Sequence, residues 1–185
     1  MKVGAFHIIA PGLIAQPWNE AEALGSAVWL WMNSATHRDF PLHAMPVLLL
    51  PAIKNRQFVL AIESGRPVFY LSWATFSEQA ERRYLANSPL RMPPADWKSG
   101  DRLWFLDWLA PFGHSRAMSQ IMKRQIFANR WGRALYHRGD ERGLQIKEFR
   151  GLATLPEEAR QWLDSHPVAW PQRSPAQEAK TVDAL

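Results

Sequence analysis

The spacing of apolar residues predicts four helices. The first begins after Asn19, which precedes Glu22 at the spacing of a capping box, and its apolar side chains share one face until about Ser34. The remaining predicted helices run from Ser77 to about Asn87, from Ser115 to about Ala128 and from Pro156 to about Asp164. Each of these three begins at a serine cap or at a proline, residues that favour the start of a helix.

Alternating and continuous apolar runs predict five strands. They cover residues 57–62, 68–74, 103–110, 133–138 and 144–149. The first two strands form one hairpin and the last two another, because short glycine-containing turns join them. The strand at 103–110 is apolar on both faces except at Asp107, which is typical of a central strand covered on both sides. This order of elements indicates an α/β (α+β) fold, with a mixed central sheet flanked by helices.

The length of 185 residues is typical of one domain. We expect an irregular N-terminal arm over residues 1–18, a single folded domain over 19–165, and a flexible tail over 166–185, where proline, glutamine, alanine and charged residues dominate. No run approaches the ~20 apolar residues that cross a bilayer. We therefore expect no membrane span and a cytoplasmic protein.

The composition and the absence of known motifs exclude several classes of active site. The chain has no cysteine, which excludes disulfides, a thiol nucleophile and cysteine-based metal sites. It has no HExxH, GxSxG or glycine-rich nucleotide-binding pattern, and we expect no metal. The net charge of +5 favours an acidic partner, but it is spread too thinly for nucleic acid, despite interleaved basic and aromatic residues at 130–138. Ten tryptophans indicate either a wide apolar groove or a tryptophan-rich core.

Asp107 is the most informative polar residue, since a carboxylate in a buried strand must be paired or hydrogen-bonded. One interpretation is structural, with an ion pair to an arginine such as Arg102 or a capping role at a loop. The other is functional, with a carboxylate that orients a histidine and stabilises the imidazolium formed in proton transfer. Composition does not choose among the six histidines, which are His7, His37, His43, His114, His137 and His166.

Several segments, in order along residues 25–151, resemble one known family. Residues 25–41 contain W-L-W and then S-x-x-H-R-x-x-P, and residues 67–74 read P-V-F-Y-L-S-W-A. The most specific segment, residues 96–113, reads D-W-x-S-G-D-R-x-W-x-x-D-W-x-A-P-F-G. Shorter matches lie at 50–53, 57–58, 133–135 and 147–151. On these residues, the chain resembles the toxin-activating lysine acyltransferases of Gram-negative bacteria, which activate RTX protoxins.

The resemblance implies a GNAT-like fold and the transfer of a fatty acyl group from acyl-acyl carrier protein to internal lysine side chains of an RTX protoxin. The family's catalytic histidine falls on His37, its catalytic aspartate on Asp107 and a supporting serine on Ser34. The implied partners are the protoxin and the carrier protein, with no permanently bound cofactor, and a homodimer stays open. The segment 111–117 agrees with this donor, because its one glycine would hold the pyrophosphate of coenzyme A poorly.

The expected mechanism uses His37 to take a proton from the lysine amine and Asp107 to orient His37, while backbone N–H groups within 111–115 bind the oxyanion. The groove for the acyl chain is expected to use some of Trp29, Trp31, Trp73, Trp104 and Trp108. Three alternatives stay open. They are acylation of His37 itself, a non-catalytic chaperone of the same fold that binds protoxin or carrier protein, and an acetyltransferase that uses coenzyme A.

Overall fold

A seven-stranded sheet organises the protein, and its strands are hydrogen-bonded in the order in which they follow along the chain. The computed structural model describes residues 1–136 and 145–171. The strands are β1 (Lys2–Val3), β2 (Phe6–Ile9), β3 (Phe58–Glu63), β4 (Arg66–Phe76), β5 (Arg102–Leu109), β6 (Trp131–Tyr136) and β7 (Gln145–Arg150). Every neighbouring pair is antiparallel except β5 and β6, which run parallel.

Helices cover both faces of this sheet. They are α1 (Glu20–Met32), α2 (Met45–Leu48), α3 (Leu50–Lys54), α4 (Glu78–Ala86), α5 (Ser115–Ile121) and α6 (Pro156–Ser165). Short 3-10 turns lie at Leu42–Ala44, Pro89–Arg91 and Pro94–Trp97, and a π-helical turn at Met122–Ile126 follows α5. The predicted α/β (α+β) class, a GNAT-like mixed sheet flanked by helices, is confirmed.

The alternation of side chains along β4 divides the core into two layers. Tyr70 and Ala74 face α1 to α4, in apolar clusters that include Leu30 of α1. We call this side of the sheet the α1 face. Leu71 and Trp73 face α5 and the π-helical turn, and we call that side the α5 face. Because β4 and β5 are buried on both faces, they are the continuous apolar runs expected of central strands.

Two predicted helix caps are confirmed and one is wrong. The side chain of Asn19 accepts a hydrogen bond from the Glu22 N–H at 3.0 Å, and Ser77 accepts one from the Ala80 N–H at 3.2 Å. Ser115 is not a cap, because α5 is preceded by His114, and its hydroxyl instead accepts a hydrogen bond from the indole of Trp108. The regular helix here also ends at Ile121 rather than near 128, where the chain changes to the π-helical turn.

The prediction of an irregular arm over residues 1–18 is wrong for residues 1–9, whereas residues 11–18 contain no helix or strand. Its first nine residues form the hairpin of β1 and β2, and β2 pairs with β3. Ile8 and Ala10 are fully buried in the core of the α5 face. The strand was missed because only four residues alternate, and their partner strand begins about fifty residues later in the chain.

The first residues of the predicted flexible tail are packed. The Pro167 carbonyl accepts a hydrogen bond from Arg102 at 2.8 Å, and Ala169 is 7% exposed. The prediction is therefore wrong for residues 166–171. Residues 172–185 lie outside the described part of the chain, as does the segment 137–144, which holds the predicted turn of the last hairpin and His137.

A fully buried carboxylate joins these elements. Glu81 of α4 is 0% exposed and accepts hydrogen bonds from Arg102 of β5 at 2.7 Å and from Arg133 of β6 at 3.0 Å. The indole of Trp104 and the N–H of Ala169 complete its partners, at 2.8 and 3.1 Å. Since every oxygen of the carboxylate is bonded, the charge is compensated inside the core. It fixes α4, β5, β6 and the C-terminal segment to one another.

We expect Glu81→Gln to lower the free energy of unfolding by about 3–5 kcal/mol, because it leaves the buried Arg133 without its counter-charge and Arg102 with only the exposed Glu78, 3.9 Å away. Urea denaturation followed by circular dichroism measures this change. The control is Glu78→Gln, which alters an exposed side chain of the same helix and should cost less than about 1 kcal/mol. Equal losses in the two variants would contradict the role of Glu81.

No helix within residues 1–136 and 145–171 is long and apolar enough to cross a membrane.

Candidate active site

A wedge opens between the two parallel strands. Within the described residues, β5 and β6 pair only at Trp104 with Arg133 and at Phe105 with Ala134, and no pairing follows up to Tyr136. Leu106 and Leu135, the next residues on the two strands, line a cavity of about 380 Å³ on the α1 face. This volume lies within the range of about 300–1,000 Å³ that small-molecule sites occupy.

The cavity is mostly apolar, with a few polar groups among its lining residues. Its apolar walls include Trp31, Leu90, Met92 and Trp97. Besides Tyr84, its ionisable lining groups in the described part of the chain are His37 and Asp107. The structure therefore brings the predicted histidine and the predicted aspartate to one apolar cleft.

A β-bulge aims Asp107 into this cavity. Ser72 of β4 lies opposite Asp107, but Trp73 lies opposite Phe105, so Leu106 is one residue more than β4 can match. Regular alternation would put Asp107 on the same face as Phe105, the α5 face. With the extra residue, Leu106 and Asp107 both face the cavity. Bulges commonly redirect a side chain next to a functional site.

Asp107 is held by a serine rather than by an arginine. The Ser72 hydroxyl donates a hydrogen bond to Oδ2 of Asp107 at 3.1 Å, and Oδ1 lies 3.5 Å from Nε2 of His37. The alternative of an ion pair between Asp107 and Arg102 is wrong, because the Arg102 guanidinium binds Glu81 of α4 instead. Within the described chain, His37 is the one cationic or titratable partner within ion-pair distance of Asp107.

His37 lies in the tight turn that follows α1. Its Nδ1 is 2.9 Å from the Ser34 hydroxyl and 2.8 Å from the Thr36 hydroxyl, which are themselves 3.1 Å apart. The rings of Trp31 and Phe40 pack against the imidazole, with centroids 5.3 and 5.7 Å away. The ring is thus fixed by aromatic packing and by hydroxyls on its Nδ1 side, while Nε2 faces Asp107.

Thr36 is a site residue that the sequence analysis missed. Ser34 was identified through its place in a motif. Thr36 was not, because it is adjacent to His37 in sequence, and adjacent side chains usually point in different directions. The turn brings both together, since the Arg38 N–H donates to the Ser34 carbonyl at 2.9 Å. A hydroxyl residue directly before a candidate histidine, just after a helix end, was the available signal.

Two buried tyrosines lie within electrostatic reach of the Asp107 carboxylate. Burial, and secondly the negative charge of Asp107, raise the pKa of the Tyr70 phenol well above its ordinary value, and the same causes raise the pKa of Tyr84. Both phenols therefore stay protonated and neutral near pH 7. The Tyr70 hydroxyl has no hydrogen-bond partner among the described residues. The surroundings of Asp107 are consequently poor in compensating charge.

Two of the five tryptophans from which the groove was expected to draw its lining do line this cavity. Trp31 and Trp108 line the cavity, and so does Trp97, which was not predicted. Trp104 is buried beneath Tyr84 and binds Glu81, and Trp73 packs against Phe127 on the α5 face. Trp29 lies against Phe112 and Arg66 outside the cavity. These three tryptophans serve packing instead.

The other described histidines lie away from this cavity. Nε2 of His114 is 3.2 Å from Glu63, and Nε2 of His166 is 3.3 Å from Asp101. No group of three or more His, Asp or Glu side chains in the described ranges could hold a metal ion. The oxyanion-binding role of backbone N–H groups within 111–115 stays a prediction.

Known proteins match most of this chain. The model of the RTX toxin acyltransferase family (HlyC) matches residues 16–150. The RTX-I toxin-activating lysine-acyltransferase ApxIC of Actinobacillus pleuropneumoniae is 41% identical over 133 residues, which cover 72% of this chain and 76% of the relative. The protein-lysine myristoyltransferase RtxC of Kingella kingae is 39% identical over 128 residues, or 69% and 75% of the two chains.

A third relative extends the pattern. The leukotoxin-activating lysine-acyltransferase LtxC of Aggregatibacter actinomycetemcomitans is 37% identical over 133 residues, which cover 72% of this chain and 78% of the relative. The matched span of the family model contains α1, the turn with His37 and the whole of β3 to β7. The predicted family is thereby confirmed, and this chain belongs to the RTX toxin acyltransferase family.

Proposed function

We propose that this protein transfers a fatty acyl group from acyl-acyl carrier protein to internal lysine side chains of an RTX protoxin, in the cytoplasm. One observation carries the proposal: the imidazole of His37 and the carboxylate of Asp107 meet, 3.5 Å apart, at an apolar cavity in the wedge between β5 and β6. The names of the relatives, which are toxin-activating lysine acyltransferases, support the same reaction class.

His37 acts as the general base in this proposal. A lysine ammonium gives one proton to His37, and the neutral amine attacks the thioester carbon. The new C–N bond forms as the C–S bond breaks. Of the two protons that the nitrogen loses in becoming an amide, the first passes from His37 to the thiolate that leaves, and the second goes to solvent. Asp107 orients His37 and stabilises its imidazolium, and Ser34 supports the ring from the Nδ1 side.

The cavity beyond the pair is suited to an alkyl chain. Its walls are side chains without charge, and each methylene buried against them contributes about 0.8 kcal/mol. Leu106 and Leu135 line the cavity where the two strands separate, so the chain would enter between the strands. Placing the thioester near His37 then directs the alkyl chain inward.

The start of α5 favours a carrier protein over coenzyme A as the donor. A pyrophosphate would have to approach the N–H groups near residues 113–117. This segment holds one glycine, Gly113, so its backbone offers few N–H groups that a pyrophosphate could approach closely. A carrier protein presents no pyrophosphate, and the net charge of +5 suits an acidic protein partner.

We expect His37→Ala to lower acylation by about 100- to 10,000-fold, since it removes the general base. The measurement is mass spectrometry of acyl-lysine on a co-expressed RTX protoxin, repeated in vitro with myristoyl-carrier protein or acetyl-coenzyme A. His43→Ala, an exposed histidine in the next turn, is the control. Acyl-lysine that persists in the His37 variant, or forms only from acetyl-coenzyme A, would contradict the proposal.

We expect the hydroxyls of Ser34 and Thr36 to substitute for one another, because both lie within hydrogen-bond distance of the same nitrogen. Ser34→Ala or Thr36→Val alone should reduce kcat by less than about tenfold, and the double variant by about 100-fold or more. Ser26→Ala, in α1 and outside the cavity, should leave kcat unchanged. A double variant no slower than the single ones would rule out this support of the imidazole.

We expect Leu135→Trp to shorten the acyl chain that the enzyme prefers, because the larger ring fills the wedge. Loss of two methylene contacts already lowers kcat/KM for a myristoyl donor by about tenfold, while an octanoyl donor should react nearly as before. Leu152→Trp, at an exposed leucine outside the cavity, is the matched control. An equal loss with both donors would place the alkyl chain elsewhere.

A further inference from the structure

The two nitrogens of His37 have different surroundings, and this asymmetry limits how the ring can act. Nδ1 is occupied by the hydroxyls of Ser34 and Thr36, at 2.9 and 2.8 Å. Nε2 faces Oδ1 of Asp107 across 3.5 Å. A general base must present an unprotonated nitrogen to its substrate, and Nδ1 is already enclosed by protein groups. Nε2 is therefore the nitrogen that receives the proton.

An unprotonated Nε2 leaves two hydrogen-bond acceptors facing each other. The lone pair of Nε2 and the charged Oδ1 of Asp107 have no donor between them within the described chain and repel each other, so Asp107 orients the ring only when a proton lies between the two atoms. Oδ2 is bonded to Ser72, whereas no hydrogen bond within the described chain reaches Oδ1. The 3.5 Å gap is thus built to receive a donor from outside.

Within the described chain, Asp107 also has few cationic side chains near it. Its side chain is only 16% exposed, and the tyrosines beside it stay neutral. A carboxylate removed this far from water is costly unless a cation or several donors compensate it. The arginines of the same strand region, Arg102 and Arg133, are both committed to Glu81.

We propose that Oδ1 of Asp107 and Nε2 of His37 together form the binding site for the ammonium group of the acceptor lysine. An ammonium group has three N–H donors and no acceptor, so it can bind both atoms at ordinary distances of about 2.8–3.0 Å. This inference rests on the proposed acyl transfer and adds to Asp107 a direct contact with the acceptor. It makes the site selective for an amine over a hydroxyl group.

The same arrangement keeps the positive charge next to Asp107 while the lysine ammonium transfers its proton. When the ammonium passes its proton to Nε2, the N–H bond of the lysine breaks and an N–H bond of the imidazolium forms. The positive charge moves by one hydrogen-bond length and stays beside Asp107 throughout. The carboxylate therefore stabilises both the bound lysine and the imidazolium that forms from it. The lone pair that becomes free on the lysine nitrogen is then directed to the thioester carbon.

The experiment compares two acceptors of equal length with a myristoyl-carrier protein donor. Pentylammonium imitates the lysine side chain and is charged at pH 7, whereas O-butylhydroxylamine is a neutral nucleophile. We expect Asp107→Asn to lower kcat/KM for pentylammonium by about 100-fold and for O-butylhydroxylamine by less than about tenfold. Asp39→Asn, which removes an exposed charge two residues after His37, should change neither. Equal losses for both acceptors would overturn the proposal.

A binding measurement without donor separates this proposal from the proposed function. Pentylammonium is titrated into the wild type and the Asp107→Asn variant and followed by NMR, with circular dichroism to verify folding. Weaker binding to the variant supports the ammonium site, and unchanged binding overturns it. Asp107→Glu, which keeps the charge, should restore part of the affinity. If the wild type binds pentylammonium through Asp107 yet acylates no amine, the proposed transfer fails while the ammonium site stands.

Discussion

The bulge in β5 is the constraint on which the candidate active site depends. β5 must be apolar on both faces, because clusters of core residues cover it on each side. A carboxylate in regular alternation would lie on the α5 face, on the opposite side of the sheet from His37. One unmatched residue, Leu106, reverses the parity and turns Asp107 to the α1 face, where Ser72 can hold it. This one residue lets β5 stay buried on both faces and still place a carboxylate at the cavity.

Several residues of the specific sequence run at 96–113 hold the start of β5 in place. Asp96 binds Arg83 through two hydrogen bonds, and Ser99 accepts one from the Ser77 N–H. A methyl group on Gly100 would lie 2.5 Å from the Phe76 carbonyl, so glycine is needed for this close approach to β4. Among its polar residues, Asp107 is the one that faces the cavity. A family motif therefore marks structural support as much as catalysis.

Structural features that depend on a few neighbouring residues could be predicted from the sequence. Features that depend on pairing between distant strands could not. The caps at Asn19 and Ser77 follow from a few neighbouring residues, and their helices form as expected. The bulge, the pairing of β2 with β3 and the burial of Ala169 beside Glu81 depend on register between segments far apart in sequence. The meeting of His37 with Asp107 came from the resemblance, since the residue types alone did not select one histidine.

The cavity and the proposed catalytic pair, His37 and Asp107, influence each other through the local dielectric constant. An alkyl chain that fills the wedge displaces water from the side of Asp107 that faces Leu106 and Leu135. Coulombic attraction between a carboxylate and an ammonium group increases as water is removed, because the effective dielectric constant falls. A bound donor should thus strengthen the hold of Asp107 on the acceptor lysine. Exclusion of water also suppresses hydrolysis of the thioester, so the same apolar walls that hold the chain favour an amine acceptor over water.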